Sequence, residues 1–188
     1  MKSNFISGFL NGLSGLEIGG GSGPCDYELD VINVNHPECS VWDAEQLKYS
    51  PVVRKVDIVA DATEIPVPDT SYDFVFSSHV LEHLPNPIKA IKEQYRISKK
   101  YVCMVVPQRD AVDGHREITT LEETIDRYNN NNTVTNLLGH LSVWNWSDMW
   151  KIIQWGNENN LWKFKLRGVL NPDDARKDGW IIVLEVIK

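Results

Sequence analysis

Long apolar runs, paired cysteines and an excess of positive charge are all missing from this 188-residue chain, and each absence removes a class of function. No segment approaches the roughly 20 consecutive apolar residues that a membrane-spanning helix requires. The stretch from Met1 to Leu13 carries one lysine and interrupted apolar positions rather than the continuous core of a secretory signal. Its Phe5, Ile6, Phe9, Leu10 and Leu13 recur at helical spacing and predict a short amphipathic helix within 1–13. The three cysteines, Cys25, Cys39 and Cys103, are widely spaced and form no CxxC pair. Neither a zinc knuckle nor a disulfide framework fits them, so a reducing, cytoplasmic setting is expected. With 19 basic against 26 acidic residues the net charge is −7. That balance disfavours a broad grip on nucleic acid, which depends on neutralising phosphates. Internal repeats and Gly-, Pro- or Ser-rich linkers are also missing. The length suits one domain over 1–188 that buries its own core.

Short apolar strands alternate with helical stretches over the first two thirds. Strand-like runs are Gly15 to Gly19, Leu29 to Asn35, Val56 to Ala60, Tyr72 to Ser77 and Tyr101 to Val106. Ala44 to Tyr49 and Pro87 to Ile97 read as helices, the second with Ile88, Ile91 and Tyr95 at spacings of three and four. Such alternation predicts a parallel sheet covered on both faces. A polar helix over Thr120 to Tyr128, an asparagine loop and a Trp-rich helix over Ser147 to Asn157 follow. The last two strands, Trp162 to Leu170 and Trp180 to Ile187, flank the turn signal Asn171-Pro172-Asp173-Asp174 and should pair antiparallel at one edge. The expected fold is therefore α/β, three-layered and Rossmann-like, with a mostly parallel seven-stranded sheet whose last strand is antiparallel. Residues 108–160 would supply loops and helices on the substrate side.

Directly behind the first strand stands Glu17-Ile18-Gly19-Gly20-Gly21-Ser22-Gly23. Glycines there let backbone N–H groups approach a ligand at the carboxyl edge of the sheet. The plain alternative is a tight turn that only needs positive φ angles. A nicotinamide site is the other competitor, but the third glycine of GxGxxG falls on Pro24 or on the Cys25-Asp26 pair. The acid that such a site uses for a ribose hydroxyl is replaced by Asn35.

Histidine supplies the candidate chemistry. His79 lies just past the fourth strand, where sheet topology gathers reactive groups. An imidazole, with a reference pKa near 6.5, can take a hydroxyl proton at neutral pH. Packing without substrate contact is the alternative for it. His83 and Glu82 follow, and with His79, His115 and His140 they could bind a divalent metal, although the spacing is not HExxH and a metal is not favoured. The loop holding Asp110, Asp113, His115 and Arg116 has no apolar period and could cover an acceptor, or be an ordinary solvated loop. Trp144, Trp146, Trp150, Trp155 and Trp162 could stack on a sugar or base; core filling is the preferred reading.

The acid-before-glycines spacing resembles motif I of class I S-adenosylmethionine-dependent methyltransferases. Asp57-Ile58-Val59-Ala60-Asp61-Ala62-Thr63 resembles the third-strand end of that family, and Ile65 through Asp69, Tyr72-Asp73-Phe74 and His79-Val80-Leu81-Glu82-His83-Leu84 are similar to its next stretch. The likeness runs from Leu16 to about Val106. It implies S-adenosylmethionine as cofactor, held by Glu17, Gly19, Gly20, Gly21, Gly23, Asn35, Asp61, Ala62, Ser77 and Ser78. It implies His79 or His115 as general base, and His83, Asp113, Arg116 and His140 on the acceptor side. Two departures stand out. Asn35 is neutral where the family carries an acid, and about eight residues separate Gly23 from the second strand, leaving little room for the usual first helix. The abbreviated form, with Val106-Pro107, His115-Arg116, Thr119-Thr120-Leu121 and His140 to Trp144, resembles a subgroup found beside sugar and polysaccharide enzymes. A sugar hydroxyl in glycan biosynthesis is the implied acceptor. Another metabolite, lipid or protein group is the alternative, and Asn35 motivates a third reading, a catalytically silent partner subunit.

Overall fold

A computed structural model of the chain describes residues 3–21, 29–38, 53–109, 114–133 and 139–188. Seven strands form one sheet: β1 (Gly15–Ile18), β2 (Val31–Asn35), β3 (Ile58–Val59), β4 (Tyr72–Ser78), β5 (Ser98–Pro107), β6 (Phe164–Leu170) and β7 (Gly179–Val186). Their order is β3-β2-β1-β4-β5-β7-β6. The first five run parallel, and β7 is antiparallel to both of its neighbours, β5 and β6. The expected three-layer α/β fold is therefore what forms. The expected helix at Ala44 to Tyr49, together with Gly23 and Asp113, lies outside the described residues.

Strand periodicity divides the core. Val75, Val102, Met104, Val106, Ile182 and Leu184 turn to one face, where they meet the helices α2 (Pro87–Ile97) and α4 (Trp146–Glu158). Phe74, Phe76, Cys103, Val105, Ile181 and Val183 turn to the other face and meet Ile6 and Leu10 of α1 (Asn4–Leu10). Side chains one residue apart point to opposite faces of a pleated sheet, so a continuous apolar strand fills both layers. Every position of β1 is buried, as a central parallel strand demands.

Local chemistry fixes the helix starts. Pro87 opens α2 behind Asn86, whose Oδ1 accepts from Lys89 N at 3.1 Å. Thr120 caps α3 (Leu121–Asn129), in a capping box with Glu123. Strand β6 starts at Phe164, later than expected. The Trp162 ring instead folds onto Gly156 of α4, where an added Cβ would lie 2.0 Å from the indole, and its Nε1 donates to Ile153 O at 2.9 Å. Trp144, Trp162 and Trp180 are fully buried, so the core reading of Trp144 and Trp162 holds. Among the described residues no helix is long and apolar enough to cross a membrane.

Candidate active site

The chain leaves β1 toward β2 on one side, while β4 lies on the other. Parallel sheets leave a crevice at such a switch point, outside the carboxyl ends of the strands. The glycine turn and the Ser77-Ser78-His79 segment border it, with Ile18 in register with both Val34 and Ser77.

Backbone conformation explains the glycines. Gly19 has φ +76, and a Cβ on it would lie 2.4 Å from Val80 Cγ2. Its N–H donates to Val34 O at 2.8 Å, fixing the turn to the end of β2. Gly20 is buried against Asn33, and its carbonyl accepts from Asn33 Nδ2 at 2.9 Å. Asn33, itself fully buried, donates a second bond to Lys55 O at 2.9 Å. Gly21 O accepts from Arg54 N at 2.9 Å. The guanidinium of Arg54 makes an ion pair with the buried Glu17. Glu17 thus reaches the turn through Arg54. Neither Arg54 nor Asn33 stood out in the sequence, because their partners are remote along the chain; a basic residue to neutralise the buried Glu17 was the one available signal.

At the crevice itself, the hydroxyls of Ser77 and Ser78 are buried and have no hydrogen-bond partner among the described residues. Buried hydroxyls are ordinarily satisfied, and because neighbours on β4 point to opposite faces, one of these two orphans is available to a polar ligand beside the turn. Asn35 closes β2, and its Oδ1 accepts from His36 N at 3.0 Å. Asp61 is exposed, and its Oδ1 accepts from Thr63 N at 2.8 Å and from Thr63 Oγ1 at 2.6 Å, closing the turn that carries the buried Ala62. Both therefore stand at the carboxyl ends of β2 and β3.

His79 follows β4 with φ +54, held by its N–H to Val105 O at 2.9 Å. Its ring lies between two carboxylates. Nε2 is 3.4 Å from Asp178 Oδ1, and Nδ1 is 3.7 Å from Oε1 of the fully buried Glu82. His79 beside it holds the Asp178 carboxyl below the usual carboxylate range. Asp178 comes from the loop before β7, which Asp173 shapes by accepting from Ala175 N, Arg176 N and Gly179 N. No sequence pattern announced this partner.

Residues 81–83 form a single 3-10 turn (Leu81–His83), so His79 and His83 do not share a helix face. They flank Glu82 instead, each 3.7 Å from Oε1. His140 stacks edge-on against His83 with ring centres 4.7 Å apart. Arg116 Nη1 donates to His140 O at 2.6 Å, which places Arg116 behind this group. His115 does not join it. That residue is exposed on the turn before Arg116, and no described contact ties it to His79.

This fold, with its strand order and crevice, is the class I methyltransferase fold. Residues 16–105, just under half of the chain, match the family model described as "Methyltransferase domain". A 2-methyl-6-phytyl-1,4-hydroquinone methyltransferase of the rice chloroplast is 28% identical over 106 residues, covering 53% of this chain and 32% of the relative. Ajmaline N-methyltransferase of Rauvolfia serpentina is 30% identical over 67 residues, covering 36% of this chain and 22% of the relative. The chain thus spans about a third or less of the length of these curated relatives. The crystal structure of a SAM-dependent methyltransferase from Methanosarcina mazei shares the fold with a TM-score of 0.58 and 18% identity, covering 98% of this chain and 97% of that one.

Proposed function

We propose that the protein transfers the methyl group of S-adenosylmethionine to a hydroxyl of a small acceptor, with a sugar hydroxyl in glycan assembly as the favoured substrate. The observation that carries this reading is His79, set between Asp178 and Glu82 beside the glycine turn, with Val80 against Gly19. The cofactor supplies a sulfonium-activated methyl carbon. The chain's own residues orient the partners and move a proton. Gly19, Gly20 and Gly21 offer backbone to the cofactor, with Glu17 acting through Arg54. Ser77 and Ser78 meet it at the end of β4, while Asn35, Asp61 and Ala62 border its ribose and adenine.

His79 takes the acceptor proton on Nδ1, the nitrogen left open by the 3.7 Å gap to Glu82, and ionised Asp178, 3.4 Å from Nε2, stabilises the charged ring. Hydroxyl, amine and carbon acceptors all release one proton on methylation, so a base at His79 serves each of them and does not choose among them. The sugar rests on the likeness to the polysaccharide-associated subgroup, while the alkaloid N-methyltransferase relative keeps an amine as the second reading. In this reading His83, His140 and Arg116 face the acceptor.

Calorimetric titration with S-adenosylmethionine and S-adenosylhomocysteine, followed by label transfer to sugar, amine and quinol panels, tests this. Saturable binding and transfer to a sugar are expected. An absence of binding up to millimolar cofactor would favour the silent partner subunit, and transfer only to an amine would move the acceptor class.

A further inference from the structure

We propose that Glu82, His83 and His140 hold a divalent first-row transition-metal ion beside β4, next to the proposed methyl-transfer site and binding whether or not methyl transfer occurs. One potential ligand atom from each side chain lies within 4.8 Å of the others. The Glu82 Oε1 to His83 Nε2 separation is 3.7 Å. That is longer than an N–H···O hydrogen bond, which runs to about 3.2 Å. It is close to the spacing of about 3.3 Å between neighbouring ligands around a tetrahedral ion with bonds near 2.0–2.1 Å.

The tautomer points the same way. His83 Nδ1 is 3.2 Å from Gly139 O. A carbonyl can only accept, so in the neutral ring the hydrogen sits on Nδ1 and Nε2 turns its lone pair toward Glu82. A backbone carbonyl behind a ligating histidine is the usual arrangement at metal sites. A lone pair and a carboxylate facing each other in a buried place repel unless a proton or a cation lies between them. Glu82 is 0% exposed, so its carboxylate would attract a cation with little screening by bulk water.

His140 is delivered by a loop built onto Glu82 itself. Leu141 N and Ser142 N donate to Glu82 O at 2.6 and 3.1 Å. Arg116 holds His140 O at 2.6 Å, and Arg127 Nη2 holds Leu141 O at 3.1 Å. The third ligand is therefore held near the other two, and because two atoms bonded to one ion lie at most about 4.2 Å apart, the set closes from its 4.8 Å spread as the ion binds. Two imidazoles and one carboxylate suit Zn²⁺, Co²⁺, Fe²⁺ or Mn²⁺ rather than Mg²⁺, which favours oxygen ligands. Three protein ligands leave a coordination position for water or an acceptor oxygen.

The test uses the whole chain, stripped with a chelator and titrated with Co²⁺ as the only metal, without S-adenosylmethionine. One equivalent should bind with visible absorption bands and raise the Tm with metal concentration, and Zn²⁺ should displace it. His140→Ala and His83→Gln should each weaken binding by about 10-fold or more. His36→Ala, on the turn after β2, should leave it unchanged. Using both variants guards against one that fails to fold, which the metal-free melt would reveal. No saturable Co²⁺ binding, binding untouched by both site variants, or binding abolished by His36→Ala would overturn the site. Because no readout involves methyl transfer, this result separates cleanly from the fate of the proposed activity.

Discussion

His79 carries both the proposed proton transfer and a strained backbone, and the two roles can be pulled apart. A residue with a Cβ at φ +54 costs about 1–2 kcal/mol relative to the right-handed region, and glycine escapes most of that. His79→Ala should therefore lose about 10² to 10⁴ in turnover with cofactor affinity nearly intact. His79→Gly should lose as much turnover yet unfold at a higher urea concentration than the alanine variant. Equal turnover in the parent and both variants would remove His79 from the chemistry. Asp178 adds a pH signature. Its carboxyl is held low by His79, so its stabilising contribution is present above the ordinary Asp range near pH 4 and is lost as pH falls through the folded value. Urea midpoints measured from pH 6 downward should fall less steeply below about pH 4 in Asp178→Asn than in the parent.

At the level of elements, the glycine turn is a packing device as well as the proposed ligand cradle. The sequence alone implied that a bulky residue at Gly19 would act by blocking the cofactor, but the Cβ would first meet Val80 Cγ2 at 2.4 Å, on a backbone at φ +76. Gly19→Ala should cost roughly 1–3 kcal/mol in denaturant unfolding, and Val80→Ala should recover the steric part without the φ part. The two changes will then be non-additive in a double-mutant cycle, whereas strictly additive values would mean that the turn and the segment after β4 are not in contact. Strand existence was legible because each strand alternates or runs apolar; even the antiparallel β6–β7 pair followed from a single turn signal. Side-chain ties between elements were not. Asn35 drew notice by its place at a strand end, yet Asn33, two residues back on the same face, is the buried amide that binds Gly20 and Lys55. Period-two reasoning gives the shared face but not which amide finds partners. His79 with Asp178 is hidden for the same reason, since its two halves sit on opposite sides of β5, one after β4 and the other before β7.

Across the whole molecule, the order β3-β2-β1-β4-β5-β7-β6 puts β5 between a parallel and an antiparallel neighbour, with both faces covered. Cys103 lies in that strand at 0% exposure, in register with Phe76 of β4 and Val183 of β7. Burial drives its thiol well above the ordinary range, so it stays protonated at neutral and mildly alkaline pH, and only thiolate reacts quickly with alkylating reagents. Reaching it means separating β5 from its neighbours, which also dismantles the floor beneath His79, whose N–H is held by Val105 O. Local opening at the glycine turn or at the 139–142 loop leaves this strand shielded. Alkylation of Cys103, followed by peptide mass so that Cys25 and Cys39 are counted separately, should proceed at the rate of global unfolding. It should accelerate with urea along the same curve as loss of the near-ultraviolet tryptophan signal from Trp144, Trp162 and Trp180. Cys103 labelling well ahead of that signal would show that β5 parts from β4 or β7 as a separate unit, and the floor beneath His79 would then open without unfolding.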